Sequence, residues 1–435
     1  MTFQQRILLD RLVAVPLSVV CNALARGIGR ILRRDHSITP ETTRRMVVAK
    51  LVGMGSVLQA TPLLRALKQQ FPQARLTFLT LIGNRNLVER LEGVDEIVCL
   101  NDRSAWRMLW TTLTALYNLM RRPVDHYFDL EVYSGFACLL ALFSLARNRL
   151  GFYRHSNRFK KGIYTHLVYF NTRMPVRRIY LQLGRVAGVP CDPDDQLSTI
   201  RIEPAERSSL THKLSTLGLQ PGSPYVLVNP NASDLLIERR WPERHVLEAL
   251  TQLATHGHNV VLLGSPSEAP FVESLHRRLP GSLLNRVFNT AGQLSLGEVF
   301  ALIDGAACVL TNDTGPMHMA FALRRPTVCL VGPADPIHYG LDHPDIITLY
   351  APVPCSPCIY EIDEPPCHGN NVCMQRLSPE LAVKQVLALL AAHTVGSPVL
   401  QSRVTGGTIR LPLVWEADSG QPLGIVIRSS IRRKS

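Results

Sequence analysis

One segment of the chain combines a carboxylate, a hydroxyl, a glycine and an imidazole where an apolar run meets a predicted helix. These residues are Asp313, Thr314, Gly315 and His318. A helix start offers free N–H groups and a positive dipole end to phosphate, and glycine lets the backbone approach closely. The segment therefore predicts a phosphate-binding turn. The plain alternative is that Asp313 or Thr314 only caps the helix.

A second turn of small polar residues, 229–233, follows another apolar run, and Arg239 comes shortly after it. A turn of small residues with a following cation can clamp a diphosphate. The two turns together favour a site for a diphosphate-bearing ligand.

A glycine turn lies near the start of the chain. The apolar run 46–51 contains Lys50 and is followed by Gly53 and Gly55, and helical spacing extends over residues 57–70. This pattern is typical of the opening of a nucleotide-binding α/β unit. A later strand-like run, 126–130, places carboxylates at a predicted carboxyl edge.

Four cysteines lie within 19 residues, at Cys355, Cys358, Cys367 and Cys373. The first pair has the spacing of a zinc ligand pair, whereas the second pair is more widely spaced than a standard zinc knuckle. Structural zinc and paired or free thiols both remain open. The other six cysteines have the pattern of reduced core thiols in a cytosolic protein.

Strand-like runs, among them 96–100, 225–229 and 327–331, alternate with helix-like segments such as 296–305. They form two sets, joined by a predicted linker at 193–221 that is rich in proline, serine and charge. Such alternation predicts an α/β fold with parallel sheets and right-handed crossovers. A length of 435 residues is sufficient for two or three domains. The hydrophobic fraction of 46% excludes a disordered chain.

The first 45 residues are basic and contain an uncharged run at 12–25, which is too short to span a bilayer. Apolar residues and arginines continue to alternate after it, as in a helix that lies in a membrane interface. A cleaved signal peptide and a helix packed on the protein body are the alternatives. The last 40 residues lose periodicity and end in a basic run, which is either solvated or a second membrane contact.

The net charge of +13 predicts an anionic partner. Nucleic acid is disfavoured, because the positive charge concentrates at the two termini and no nucleic-acid-binding motif accompanies it.

Several ordered motifs resemble glycosyltransferase family 9, whose best-known members are the ADP-heptose:lipopolysaccharide heptosyltransferases. The resemblance extends over roughly residues 45–392. Its carriers are KLVGMGSVLQATPLLRAL at 50–67, NPNAS at 229–233, RRWP at 239–242, NDTGPMH at 312–318, GPADP at 332–336, and the cysteine motif from 355 to 374.

The resemblance implies a GT-B architecture, in which two Rossmann-like domains face a cleft. The implied divisions are a basic amphipathic segment 1–45, an acceptor-side domain 46–204, a sugar-nucleotide domain 205–394 and a basic tail 395–435. It also implies inverting transfer that requires no bound metal.

Residue roles follow from the resemblance by position. Ser233 and Arg239 would hold phosphate oxygens, although the family usually has lysine at the second position. The diphosphate and sugar would be lined by Asp313, Thr314, Gly315 and His318. Glu268 is a weaker candidate for the ribose.

One position departs from the family pattern. The family's glycine turn ends in an aspartate that acts as general base, and here Ser56 follows Gly55. A serine hydroxyl cannot accept a proton at neutral pH without help, so Gly55 and Ser56 are expected to bind the acceptor rather than catalyse. Glu131 is the first replacement candidate, because it lies one residue beyond the apolar strand, where the chain turns towards the cleft, and Asp129 is the second. A helix cap or structural ion pair is the alternative role for either carboxylate.

The sequence thus predicts a cytoplasmic enzyme, peripheral on the inner membrane. It would move heptose or a related sugar from an ADP-heptose-like nucleoside diphosphate sugar to a lipid-linked saccharide. A GT-B sugar-nucleotide epimerase and a non-catalytic sugar-nucleotide-binding scaffold are the alternatives.

Overall fold

The computed structural model of the chain describes residues 3–32, 35–190, 194–232, 236–359, 361–362, 365–394 and 407–411. The chain divides into two compact units, residues 1–201 and 202–435. In each unit, parallel strands alternate with helices. The α/β fold class predicted from the sequence pattern is therefore confirmed.

The first unit begins with helices α1 and α2, which precede the sheet. The helices are α1 Phe3–Leu9, α2 Val15–Leu32, α3 Met54–Gln59, α4 Thr61–Gln70, α5 Arg85–Val88, α6 Ala105–Arg121, α7 Gly135–Phe143 and α8 Val176–Val186. The strands in the described residues are β1 Arg45–Ala49, β2 Arg75–Leu81, β3 Glu96–Leu100, β4 His126–Asp129, β5 Asn148–Tyr153 and β6 His166–Tyr169.

The sheet of the first unit has the strand order β3-β2-β1-β4-β5-β6, and every pairing is parallel. The chain moves outward from β1 to β3 and then returns to build from β4 to β6. Because such crossovers are right-handed, the helices that follow β3 and β4 lie on the face opposite those that follow β1 and β2. Helices α6 and α7 therefore share one face of the sheet, where a buried apolar cluster joins them to the strands.

The helix predicted over 57–70 is two helices, α3 and α4, which meet at Ala60. Pro62 lies in the first turn of α4, where its missing N–H costs little, but it cannot continue the hydrogen bonds of α3. The Thr61 hydroxyl donates to the Leu58 carbonyl at 2.7 Å. This break explains the difference from the prediction.

The N-terminal helix, defined as α1, the π-helical turn Asp10–Ala14 and α2, docks on the start of α7. The Asp10 carboxylate accepts hydrogen bonds from the backbone N–H groups of Gly135 (3.0 Å) and Phe136 (2.8 Å). Ser18 donates to the Gly135 carbonyl at 3.2 Å. A Cβ on Gly135 would lie 2.8 Å from the Val15 nitrogen, so only glycine permits this approach.

Within this helix, the 22-residue segment Ile7–Ile28 is long and apolar enough to cross a membrane by length and composition alone. The uncharged run 12–25 is short, but the helix continues through the charged residues that bound it. The length of the whole helix alone therefore does not exclude a membrane span, and the position of the helix must be argued from its contacts.

The second unit has its own parallel sheet. Its helices are α9 Pro204–Thr216, α10 Glu243–Thr255, α11 Ala269–Arg277, α12 Leu296–Gly305, α13 Gly315–Ala322, α14 Pro336–Tyr339, α15 Val372–Gln375 and α16 Pro379–Thr394. Its strands in the described residues are β7 Tyr225–Asn229, β8 Asn259–Leu262, β9 Val287–Asn289, β10 Cys308–Asn312, β11 Thr327–Val331, β12 Ile346–Tyr350 and β13 Gly407–Arg410. The strand order is β13-β12-β11-β10-β7-β8-β9.

Two stretches that the sequence pattern left without structure form elements of this unit. Helix α9 lies in the stretch interpreted as a linker, and β13 lies in the predicted basic tail 395–435. Strand β13 pairs in parallel with β12 at the edge of the sheet. Apart from Leu411, the other residues of the tail lie outside the described part of the chain.

A buried histidine in β4 gives the first unit an expected pH dependence. Burial lowers the pKa of His126 to about 4, and Thr43 and Asn148 hold the ring by hydrogen bonds. The native ring stays neutral while the unfolded chain takes up a proton below about pH 6.5, so stability is lost as the pH falls from 6.5 towards 4.

We expect this histidine to account for about 2 kcal/mol of unfolding free energy lost between pH 7.5 and 4.5. Denaturant unfolding of wild type and His126→Gln at both pH values measures it. Equal pH dependence in the two proteins would contradict the assignment.

Candidate active site

The glycine turn of the first unit lies directly after β1. Gly53 has a φ of 90°, a conformation that side chains rarely adopt, and it precedes the first residue of α3. Gly55 is buried and Ser56 is half-buried in the first turn of that helix. The turn therefore presents the Ser56 region at the carboxyl edge of the sheet.

A buried ion pair anchors this turn to the neighbouring strand. The Lys50 ammonium lies 2.8 Å from Oε1 of Glu131, with side-chain exposures of 8% and 13%. The same oxygen accepts hydrogen bonds from the backbone N–H groups of Leu51 (2.8 Å) and Val52 (3.0 Å). Among the described residues, Oε2 of Glu131 has no hydrogen-bond partner.

The electrostatics of this pair keep both groups charged. Burial alone would raise the pKa of Glu131, but the Lys50 ammonium and the two backbone donors lower it below its ordinary value. Burial alone would lower the pKa of Lys50, and Glu131 raises it instead. Glu131 is therefore ionised at neutral pH.

Glu131 lies at the point where the strand order of the first sheet reverses. Strands β1 and β4 are neighbours in register, with Ala49 opposite Asp129, and the chain builds outward from them in both directions. In open α/β sheets, ligands bind in the crevice outside the carboxyl ends of strands at such a switch point. Both Glu131 and the glycine turn border this crevice.

Asp129 lies inside the sheet core rather than at the crevice. It is fully buried, it accepts a hydrogen bond from the Tyr164 hydroxyl, and one of its oxygens accepts from the Glu131 N–H at 2.9 Å. Burial raises the pKa of Asp129 to about 6. Asp129 exposes no surface to an acceptor, so Glu131 is the stronger candidate, and both catalytic roles stay predictions.

In the second unit, the sheet reverses order between β7 and β10. Asn229 and Thr311 are opposite each other at the ends of these strands. The Asn229 amide donates to the hydroxyls of Thr311 (3.0 Å) and Thr314 (2.9 Å). This contact connects the two turns identified in the sequence, because Thr314 is the N-cap residue of α13, where Gly315 begins the helix.

Arg239 and Asp313 form the charged part of this edge. The Arg239 guanidinium donates to the Asp313 carbonyl at 3.1 Å, and its Nε lies 3.6 Å from Oδ2 of the carboxylate. The two side chains are 13% and 4% exposed. Glu268 accepts from the Ser265 N–H at 2.8 Å, and Ser233 lies outside the described residues.

Three buried oxygens at this edge have no hydrogen-bond partner among the described residues. They belong to Asn231, Asn312 and Asp313. Buried polar atoms are nearly always paired, so such a cluster calls for a ligand or water. These three oxygens lie at the two turns, and in the described part of the chain only that of Asp313 has a charged neighbour, Arg239. Their position supports a binding site there.

His318 lies one turn into α13 and is buried beside Phe321 and Tyr339. Burial lowers the pKa of His318 to about 4, against the opposing effect of Asp313. The ring is therefore neutral at pH 7, and it can offer a ligand one N–H but no charge.

The four clustered cysteines border one cavity of about 20 Å³. In the described ranges, no group of three or more histidine, cysteine or acidic side chains has the arrangement of a metal site. Structural zinc therefore stays a prediction.

The cysteine segment also supports the turn that carries Arg239. Asn371, which borders the same cavity, donates to the carbonyls of Glu238 (2.9 Å) and Arg240 (2.7 Å).

The sequence analysis did not identify the residues that hold the candidate side chains in place. It treated Lys50 only as an interruption in an apolar run. A lysine at the end of a buried strand usually needs an acidic partner, so this lysine could have pointed to Glu131. Lys160 is also buried, and it donates to the Val132 carbonyl at 2.9 Å beside Glu131. No local pattern marks it.

The architecture is that of solved GT-B heptosyltransferases. A glycosyl transferase of family 9 from Veillonella parvula has a TM-score of 0.68 and 20% identity, covering 81% of this chain and 99% of that one. The Escherichia coli ADP-heptose lipopolysaccharide heptosyltransferase II has a TM-score of 0.65 and 22% identity, covering 81% and 100%. The chain therefore has the GT-B fold of two Rossmann-like domains.

Relatives in sequence are described as heptosyltransferases. The lipooligosaccharide heptosyltransferase 2 of Haemophilus influenzae is 31% identical over 137 residues, which are 32% of this chain and 40% of that protein. The protein described by the same words in Haemophilus ducreyi is 23% identical over 308 residues, 65% and 82% of the two chains. The chain spans half or less of the length of the first relatives it matches.

Residues 137–367, more than half of the chain, match the family model described as glycosyltransferase family 9 (heptosyltransferase). The chain belongs to glycosyltransferase family 9. The resemblance inferred from the motifs is confirmed.

Proposed function

We propose that the protein is an inverting glycosyltransferase that moves heptose or a related sugar from a nucleoside diphosphate sugar to a hydroxyl of a lipid-linked saccharide in cell-envelope glycan synthesis. The observation that carries this proposal is the edge of the second sheet, where Arg239, Asp313 and buried oxygens without a hydrogen-bond partner among the described residues surround the start of α13. Relatives described as lipooligosaccharide and lipopolysaccharide heptosyltransferases support the sugar and the acceptor class. Fold neighbours solved with ADP and with an ADP-heptose analogue support the donor class.

The donor roles follow from the chemistry of the leaving group. Inverting transfer breaks the bond between the anomeric carbon and the diphosphate while the acceptor hydroxyl attacks from the opposite side. Negative charge builds on the leaving diphosphate, and the Arg239 guanidinium and the N–H groups at the start of α13 stabilise that charge. Neutral His318 and Thr314 donate further hydrogen bonds.

The first unit binds the acceptor and removes the proton from its hydroxyl. Glu131 accepts the proton of the attacking hydroxyl at Oε2, while its Oε1 keeps its bonds to Lys50 and the glycine turn. Ser56 orients the acceptor by a hydrogen bond. A carboxylate that is ionised at neutral pH can act as general base if the hydroxyl is within hydrogen-bond reach. The proposed transfer requires no bound metal.

We place the enzyme at the cytoplasmic surface of the inner membrane through its N-terminal helix. That helix docks on the first unit with its polar side, through Asp10, Ser18 and Asn22. Large apolar side chains on its other side are exposed, with Leu12 at 67% and Val20 at 57%. Polar contacts to a folded domain along its length favour a helix that lies in the interface over one that spans the bilayer.

A transfer assay with the purified full chain tests the proposal. Vesicles carrying lipid-linked core saccharide are incubated with ADP-heptose, or with UDP- and GDP-hexoses as comparison donors. The masses of the glycolipids are then measured by mass spectrometry. We expect the mass of one sugar to be added with an ADP-linked donor. Hydrolysis of the donor, or binding of the donor, without transfer of its sugar to any acceptor would overturn the proposed transferase activity.

The second candidate function is a non-catalytic scaffold that binds sugar nucleotide, and Ser56 at the family's base position favours it. The assay separates the two functions. ADP binding with no transfer, together with transfer gained in Ser56→Asp, would identify the scaffold.

A further inference from the structure

Helix α6 carries an apolar stripe on its outward side. The exposed members are Trp106, Leu109, Trp110, Leu113, Tyr117 and Met120. At 100° per residue these positions fall within about 100° of arc. The opposite side, with Thr112, Ala115 and Leu119, is buried towards the sheet. A helix on the surface of a soluble domain normally turns a polar side outward.

The stripe is large, and its exposed apolar side chains are concentrated on one helix. Trp106 is 71% exposed and Trp110 is 63% exposed. In the described residues of the second unit, large exposed apolar side chains are few and lie on separate elements, such as Leu217, Leu284 and Ile337. Contiguous apolar surface of this kind marks an interaction site.

The stripe faces outward from the same side of the sheet as the N-terminal helix. Helices α6 and α7 share that face, and the N-terminal helix packs on α7. Cys21 of α2 and Met108 of α6 both pack against the same buried cluster. The inner sides of both elements thus meet one core, and their exposed apolar sides point away from it.

Arginines accompany the stripe. From 103 to 122 the chain contains Arg103, Arg107, Arg121 and Arg122 and no acidic residue. All four are exposed. Arginines beside an apolar surface gain from anionic lipid headgroups, and tryptophan and tyrosine rings suit the boundary between headgroups and acyl chains. A second copy of the chain is a poorer partner, because two such arginine clusters would be brought together.

We propose that α6 inserts into an anionic phospholipid surface, so that the first unit is attached to the membrane at two places, through α6 and through the N-terminal helix. The inference rests on the proposed membrane location and adds an element to it. Two attachments fix the orientation of the unit on the bilayer, which one helix does not. An acceptor carried on lipid would then reach the first unit in one fixed orientation relative to the bilayer.

The test measures binding of the full chain to vesicles of phosphatidylethanolamine and phosphatidylglycerol by co-sedimentation. Trp106→Glu/Trp110→Glu should lower the vesicle partition coefficient at least about tenfold, because two indole rings that would be buried in the membrane interface are replaced by carboxylates. The matched control is Leu284→Glu/Ile337→Glu, which makes the same type of change at exposed residues of the second unit. The control should bind as wild type, and thermal unfolding verifies that each variant folds.

A parallel variant on the N-terminal helix, Leu12→Glu/Val20→Glu, separates this inference from the proposed location. Loss of binding in both variants supports two attachments. Loss in the Leu12/Val20 variant alone overturns the role of α6 and leaves the membrane location standing. Wild-type protein that does not bind the vesicles overturns both.

Tryptophan fluorescence gives a direct measurement. In Trp415→Phe, with Trp241 buried in the second unit, brominated phospholipids should quench the signal of Trp106 and Trp110 on binding. Binding without quenching would overturn insertion of α6. Wild-type dimers that dissociate in Trp106→Glu/Trp110→Glu, with vesicle binding unchanged, would instead identify the stripe as an interface between copies.

Discussion

The double variant Lys50→Met/Glu131→Gln is expected to fold with near wild-type stability and to transfer sugar about 10²- to 10⁴-fold more slowly, because it lacks the general base. Removing one partner of a buried ion pair leaves an uncompensated charge that costs about 3–5 kcal/mol. Removing both partners leaves a neutral pair of similar size, and glutamine can still accept from the backbone of the glycine turn. The rate loss would then report on basicity rather than folding. Initial transfer rates and thermal unfolding measure the two effects.

The single variants are the matched controls. Glu131→Gln alone leaves Lys50 buried without its counter-ion and should lower the unfolding temperature as well as the rate. Adding Ser56→Asp to the double variant should restore part of the rate if both positions address the same hydroxyl. Near wild-type turnover of the double variant would remove Glu131 as the base and leave it with the structural role of anchoring the turn.

Arg239→Ala is expected to lower the affinity for ADP by about 10- to 150-fold, because it removes a charge-assisted contact worth about 1.5–3 kcal/mol. The side chain lies at the edge where Asp313 is 4% exposed, so the variant also leaves a buried carboxylate without its cation. Some loss of stability is therefore expected together with the loss of affinity. Titration calorimetry with ADP below the unfolding temperature of the variant measures the affinity.

Arg239→Lys is the control for this variant. Lysine keeps the positive charge and, by the resemblance, is the usual residue at this position, so it should keep most of the affinity. UDP serves as a second ligand that distinguishes recognition of the diphosphate from recognition of the base. Unchanged ADP affinity in Arg239→Ala would place the diphosphate elsewhere.

Buried strands were the most predictable part of the fold. Tyr225–Asn229 and Thr327–Val331 are fully buried and have the bounds that their apolar runs predict. The edge strand Glu96–Leu100 also has its predicted bounds, although only Leu100 of it is buried. Strands covered by helices on both faces read as continuous apolar runs ended by polar residues, so the pattern is local. Helix α12 was predicted with equal accuracy, and the Ser295–Glu298 capping box marks its start.

Two strands that the pattern did not predict, β5 and β9, lack this local signal. Strand β5 contains Asn148, Arg149 and Gly151, and β9 has three residues. Their pairing depends on neighbours far along the chain. The contacts of Glu131 are of the same kind, since Lys50 lies 81 residues away. The sequence can therefore nominate a carboxylate at a sheet edge, but it cannot show what holds the carboxylate in place.

The contact between Asp10 and α7 has a consequence during synthesis. The carboxylate caps a helix whose first residue lies 125 positions later in the chain. At a synthesis rate of about 5–20 residues per second, the N-terminal helix emerges roughly 6–25 s before its docking partner exists. During that time its apolar side and its capping carboxylate are both unpaired, so the nascent chain presents an amphipathic helix before either domain has formed. A membrane or a chaperone can therefore receive the helix first, and the first unit would then fold onto a segment that is already placed.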